Sequence, residues 1–167
     1  MLKTCSIISL ISILLLSLTS CKSFVFKNQL PDITGISDVG ILKSECVEET
    51  GIRGKGYAIE TYTLAQENSL AFRNIANKIL PAKSEWLKQD WSAGTVDTLY
   101  SEVFGVAFDS RSNESLNQTS KQIRQLLNKD GVYHSFYYKP DKDNPKKVYF
   151  FVFDTMNNKI YIIDSSV

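Results

Sequence analysis

Histidine occurs once, tryptophan twice, cysteine three times and proline four times among 167 residues. Each shortage narrows what the chain can do. A single histidine cannot found a histidine-based zinc site unless two or more carboxylates complete it, so no metal and no other cofactor is expected. Three cysteines exclude a dense disulfide framework. An excess of one charge is also missing: 19 Lys+Arg face 18 Asp+Glu, a net charge of +1. Nucleic-acid binders normally carry a clustered basic excess, so no nucleic-acid partner is expected. Internal repeats, heptads and low-complexity segments are absent. What remains is a foldable composition, 43% hydrophobic and 11% aromatic. That is too apolar for a disordered chain, and the length suits one domain.

The one long apolar run lies at the N-terminus. Lys3 is the sole charge before Lys22, and Ile7 to Leu18 consists of Ile, Leu and Ser alone. A short positive start before such a run is the pattern of a secretory signal peptide. A membrane-spanning helix needs roughly 20 apolar residues, more than this run supplies.

Leu18-Thr19-Ser20-Cys21 ends the run with an aliphatic residue, two small residues and a cysteine. The stretch resembles the lipobox of bacterial lipoproteins. The resemblance covers the leader and Cys21 only. It implies that the Cys21 thiol receives a diacylglycerol, that residues 1–20 are removed, and that the new amino group is acylated, palmitate being a typical chain. Two or more acyl chains anchor a protein stably, whereas one is marginal. Lys22 stands where enterobacterial lipoproteins retained at the inner membrane carry Asp, which implies the outer membrane, facing the periplasm. Losing the leader leaves 18 basic and 18 acidic residues, so membrane attachment is expected from the acyl chains, not from charge. Cys5 leaves with the leader and Cys21 carries lipid, so the lipidated chain is expected to hold Cys46 as a lone thiol.

Residues 21–32 read as a lipidated tether and 33–167 as one globular domain. Residues 33–50 are ambiguous, with Val39, Ile41 and Leu42 able to begin a strand. Gly51 to Gly56 is a glycine-rich turn and fails the P-loop spacing. Tyr57 to Leu64 is rich in Tyr, Thr and Ile and predicts a strand. Asn68 or Ser69 is expected to cap a helix running to Pro81, with Phe72, Ile75, Ala76, Ile79 and Leu80 on its buried face. Ser84 to Trp91 predicts a short second helix. Leu99 to Phe108 predicts a strand, with Tyr100, Phe104, Val106 and Phe108 on one side. Residues 112–129 predict a helix with Leu116, Ile123 and Leu127 in its stripe, stopped by Gly131. Val132–Lys139, Lys147–Asp154 and Lys159–Asp164 are three strands. The Asn157-Asn158 turn suits a tight hairpin. The expected class is α+β: an antiparallel sheet of about five strands with a C-terminal three-stranded meander, and two or three helices packed mainly on one face.

Candidate chemistry is sparse. His134 and Cys46 could in principle form a thiol–imidazole pair, but no third orienting group is indicated. Asp141 to Asn144 lacks the glycine and the twelfth-position Glu of a calcium loop. Asp109, Asp154 and Asp164 sit at strand ends, where acids commonly face water. Asn113-Glu-Ser115 and Asn117-Gln-Thr119 fit a glycosylation sequon but read more simply as helix-start residues. No catalytic residue is assigned.

The aromatic content is more informative. Nine of the aromatics lie in the last three strands. Tyr133, Tyr137, Tyr149, Phe151 and Tyr161 are all at odd positions. If one helix layer covers one face, these residues can form a tyrosine-rich platform for a protein or peptide partner, or a glycan. Alternatively, the N-terminal segment covers them. The reading that follows is a membrane-anchored envelope lipoprotein acting as a non-enzymatic binding module. A periplasmic immunity protein that neutralises a toxin is an alternative, and a small envelope hydrolase a weaker one.

Overall fold

The structure, a computed structural model, describes residues 24–50, 56–109, 113–141 and 145–167. The leader and lipobox, most of the glycine-rich turn and most of the loop that resembles a calcium site lie outside the described residues. A 3-10 turn at Lys27–Gln29 leads into α1 (Leu30–Thr34). The remaining elements are β1 (Ile41–Thr50), β2 (Gly56–Leu64), α2 (Gln66–Asn74), β3 (Leu87–Ala93), α3 (Ser101–Ala107), α4 (Glu114–Leu126), β4 (Val132–Lys139), β5 (Lys147–Asp154) and β6 (Lys159–Ser166). The six strands form one antiparallel sheet in the order β1-β2-β6-β5-β4-β3. The α+β class and the C-terminal meander are therefore as the sequence predicts. The sheet has six strands: β1 and β3 are added at its two edges, and residues 99–108 contribute none.

The meander explains why the sheet is covered on both sides. Along β5, Phe151 and Phe153 point to one face and Val148, Phe150 and Val152 to the other, and all five are buried. Burying a Phe side chain is worth about 1.5–3 kcal/mol over leaving it exposed, so each face must find a layer. The first face packs under Phe26, Leu30 and Ile33 of the N-terminal segment and Phe72 of α2. The second packs under Val103 and Ala107 of α3 and Leu116 and Ile123 of α4. Helices on both faces correct the expectation of one helical layer.

Four local expectations are corrected, each by tertiary bonding. Residues 24–32 are no tether: Phe26 and Leu30 are buried in the first face. Helix α2 stops at Asn74, because Ile75 turns extended and the chain beyond it runs beside β3. There the Lys78 carbonyl accepts from Trp91 N at 3.0 Å. Residues 87–93 are a strand instead of a helix, since β4 offers them a ladder. Residues 98–107 are helical instead of extended. The spacing of Tyr100, Phe104 and Phe108 is four, the helical period, with Val103 and Ala107 completing the face. Two sheet hydroxyls secure the end of α3: Tyr57 donates to the Ala107 carbonyl at 2.7 Å and Ser165 to that of Val106 at 3.0 Å.

Gly131, with φ +74°, makes the turn into β4, and a Cβ there would stand 2.9 Å from the Met156 side chain. Asn158 takes the left-handed conformation (φ 54°) in the β5–β6 hairpin, as asparagine tolerates.

Two side chains clamp the N-terminal segment across the first face. Glu60 of β2 is buried, and its carboxyl group accepts from Val25 N (2.8 Å), from Phe26 N (3.3 Å) and from the Tyr62 hydroxyl. At the far edge Trp91 Nε1 donates to the Ile33 carbonyl at 2.8 Å. Hydrogen bonds to a charged group contribute about 1.5–3 kcal/mol. Glu60→Ala is expected to lower stability in urea unfolding by about that amount and to speed tryptic cleavage at exposed Lys27. Unchanged cleavage at Lys27 would mean that Glu60 does not hold the segment.

Candidate functional site

The clamped segment forms one wall of a cleft, and residues 80–86 form the other. That second wall is pinned at three points. Leu80 N donates to Asp90 Oδ1 at 2.9 Å, Lys88 Nζ bridges the Leu80 carbonyl and Asp90, and the Tyr137 hydroxyl donates to the Pro81 carbonyl at 2.7 Å. Glu85 then adopts a left-handed backbone, φ 64°, which a non-glycine residue holds at a cost of about 1–3 kcal/mol. Trp86 N returns to the Lys83 carbonyl at 3.1 Å. The turn so made sets Lys83 on the cleft, with Trp86 beside it against Lys83 and Tyr149. Its volume is about 290 Å³, with Tyr137, Tyr149 and Phe151 as the floor and Phe26, Asp32 and Ile33 on the opposing wall.

Aromatic rings organise the cations here. Trp86 stacks on Tyr149 at 4.6 Å and 18°. Lys83 Nζ lies 4.4 Å from the Tyr149 centroid and 4.6 Å from that of Trp86. Lys147 is 4.9 Å from Tyr149 and Lys139 is 5.5 Å from Trp86. Lys139 has Glu85 at 3.3 Å and Lys147 has Asp164 at 3.5 Å. Lys83 has no such carboxylate among the described residues. Burial, and then the charge of Lys147, lower the Lys83 pKa, with Asp164 opposing. Burial, then Asp90 and Asp32, push the Tyr137 phenol up to about 12. It stays protonated and donates to Pro81.

The five aromatic residues expected to form a platform are divided between the faces. Tyr133, Tyr137, Tyr149 and Phe151 share the first face, while Tyr161, opposite Val152, is on the second. Phe151 is fully buried and Tyr137 is 5% exposed. The open platform is therefore corrected to a covered face: the N-terminal segment lies on it, with Phe26 edge-on to Tyr149 and Phe151. What stays accessible is the cleft at its margin. The sequence reading missed Lys83, which it had placed just before a helix starting at Ser84. The available signal was a lysine and a tryptophan three residues apart.

His134 and Cys46 are not brought together. His134 is buried on the second face, stacked on Phe150, with Nε2 3.1 Å from Ser92 Oγ. A serine beside a histidine invites a nucleophile–base reading. The His134 Nδ1 atom, however, has no hydrogen-bond partner among the described residues, so no acid orients the ring. Cys46 faces the other side of the sheet, opposite Glu60. In the full-length chain it is disulfide-bonded, whereas the expectation of a lone thiol concerns the lipidated chain. The other cysteines are Cys5 and Cys21, both outside the described residues. The strand-end acids do not converge either. Asp154 caps its own hairpin, accepting from Met156 N and Asn157 N at 3.1 Å each, whereas Asp164 lies five register positions away on the opposite face. Among the described residues no group of three His, Cys, Asp or Glu could hold a metal ion.

A second cleft, about 280 Å³, lies between residues 95–104 and α4. Its cation, Arg124, is seated over the Phe104 ring at 4.9 Å, and Asp97 is occupied in capping Leu99 N. In the first cleft, by contrast, Lys83 has no carboxylate within ion-pair distance among the described residues. No helix among the described residues is long and apolar enough to cross a membrane. No protein-family model, curated protein or solved structure matches the chain.

Burial lowers the His134 pKa, opposed by the nearby Gly94 backbone. The unfolded state then binds the extra proton first, so this contribution is complete above the usual histidine pKa and is lost as pH falls below it. The melting temperature should drop between pH 7.5 and pH 5, and drop less in His134→Gln. Parallel pH profiles would show that His134 is not buried as a neutral ring.

Proposed function

We propose that this chain is a lipid-anchored protein of the bacterial cell envelope, carried on the outer membrane and facing the periplasm. Its domain binds a partner in the Lys83–Trp86 cleft and performs no chemistry of its own. The observation that carries the binding reading is Lys83: a cation without a carboxylate partner among the described residues, resting on two aromatic rings in a cleft whose walls are fixed by hydrogen bonds. A partly buried charge of this kind is costly unless something pairs with it. The Ser92–His134 pair, without an orienting acid among the described residues, speaks against a hydrolase. The anchor rests on Leu18-Thr19-Ser20-Cys21.

The anchor and the Cys46 disulfide exclude one another within a single chain. Leader removal takes away Cys5, and the thioether consumes the Cys21 thiol. Labelled palmitate fed to growing cells should enter the wild-type protein and not Cys21→Ser. An unlabelled wild-type protein whose Cys46 is protected from alkylation until reduction would overturn the anchor.

A further inference from the structure

We propose that the Lys83–Trp86 cleft recognises a zwitterionic phosphate ester, phosphate toward Lys83 and an amine toward Asp32. The inference rests on the reading of this cleft as the binding site and names its ligand class. Charge is distributed unequally between the two walls. Lys83 stands on one, with Lys139 and Lys147 held by the Trp86 and Tyr149 rings beside it. Asp32 stands on the other, with Gln29 as a neutral neighbour. Glu85 and Asp164 already answer Lys139 and Lys147, which leaves Lys83 as the ammonium open to an incoming anion.

The type of cation points to the type of anion. Planar carboxylates are matched best by the arginine fork, whereas lysine serves tetrahedral phosphate as a point charge. The described arginines nearest in sequence, Arg73 and Arg124, are engaged elsewhere, on Thr155 and over Phe104. A bare dianion would be repelled by Asp32. An ester with a cationic amine at its other end satisfies both walls. The floor of Tyr137, Tyr149 and Phe151 is apolar enough to accept the short carbon link between them.

Phosphoethanolamine has this chemistry, either free or as the headgroup of phosphatidylethanolamine. The test uses the intact chain in uncharged detergent, with Trp91 retained because it clamps the N-terminal wall, and with Trp86→Phe as the control that assigns the emission change to Trp86. At constant ionic strength, phosphoethanolamine should change Trp86 emission saturably and more tightly than glycerol 3-phosphate or ethanolamine. Lys83→Gln should weaken binding at least tenfold while leaving the melting temperature unchanged or higher, since it removes an uncompensated charge. Asp32→Asn should reverse the preference toward glycerol 3-phosphate. If the free ester is silent, reconstitution into galactolipid vesicles with and without phosphatidylethanolamine decides the source. A response only with that phospholipid assigns the headgroup. Silence in both arms, or unaltered binding by Lys83→Gln, overturns the proposal. A peptide or glycan that perturbs Trp86 when the phosphate esters do not would overturn the ligand class and leave the cleft standing as a binding site. Palmitate labelling bears on neither outcome.

Discussion

The buried carboxyl group of Glu60 is the contact on which the first face of the sheet depends. A carboxyl group in an apolar layer is tolerable only when its lone pairs are met. Here two backbone amides of residues 25 and 26 and the Tyr62 hydroxyl meet them. Burial, and then the adjoining Glu60, hold the Tyr62 phenol protonated far above its usual range, so it remains a donor. The same bonds press Phe26 onto Tyr149 and Phe151 and carry α1 across to Trp91. Without that cover, the first-face side of β5 would lie open to water.

The clamp has a second consequence at the N-terminus. Phe24, half-buried against Tyr62, is three residues beyond Cys21. At about 3.5 Å per residue, fully extended, those residues reach no more than roughly 11 Å. Under the proposed anchoring the domain is therefore carried close against the bilayer. Its first face, cleft margin included, lies on the side where the anchored chain enters.

The cleft itself arises from two walls fixed by unrelated means. One is the clamped segment, held by β2 and β3. The other is the 80–86 loop, held by Asp90, Lys88 and Tyr137, with a left-handed Glu85 at its bend. Both walls are set by bonds to the sheet. A rigid site of this kind limits the entropy lost on binding, which suits recognition of a small group better than envelopment of a large surface. The rest of the aromatic content serves the core, where edge-on pairs such as Phe72 with Trp91 and Phe108 with Phe150 fill the two layers.

By itself the sequence determined the α+β class, the three C-terminal strands, β2 and the stripe of α4. In each of these the local pattern is long, regular and agrees with its packing: Val132–Lys139 and Lys147–Asp154 are strand-forming throughout, and Leu116, Ile123 and Leu127 keep the helical spacing. It also marked out Tyr137, Tyr149 and Phe151, though as an open face. Only the tertiary structure decided the state of residues 84–93 and 98–108, where short aromatic runs satisfy both periods and the neighbouring ladder or layer breaks the tie. It alone decided that Tyr161 lies apart from the other tyrosines, because pairing register, not parity within one strand, assigns a face. Likewise, Lys83 becomes a site residue only through contacts with Tyr149, 66 positions along the chain, and a facing wall built from residues 26–33. No local pattern encodes such a meeting. It follows from the need of a sheet apolar on both sides to recruit its cover from distant segments of the same chain.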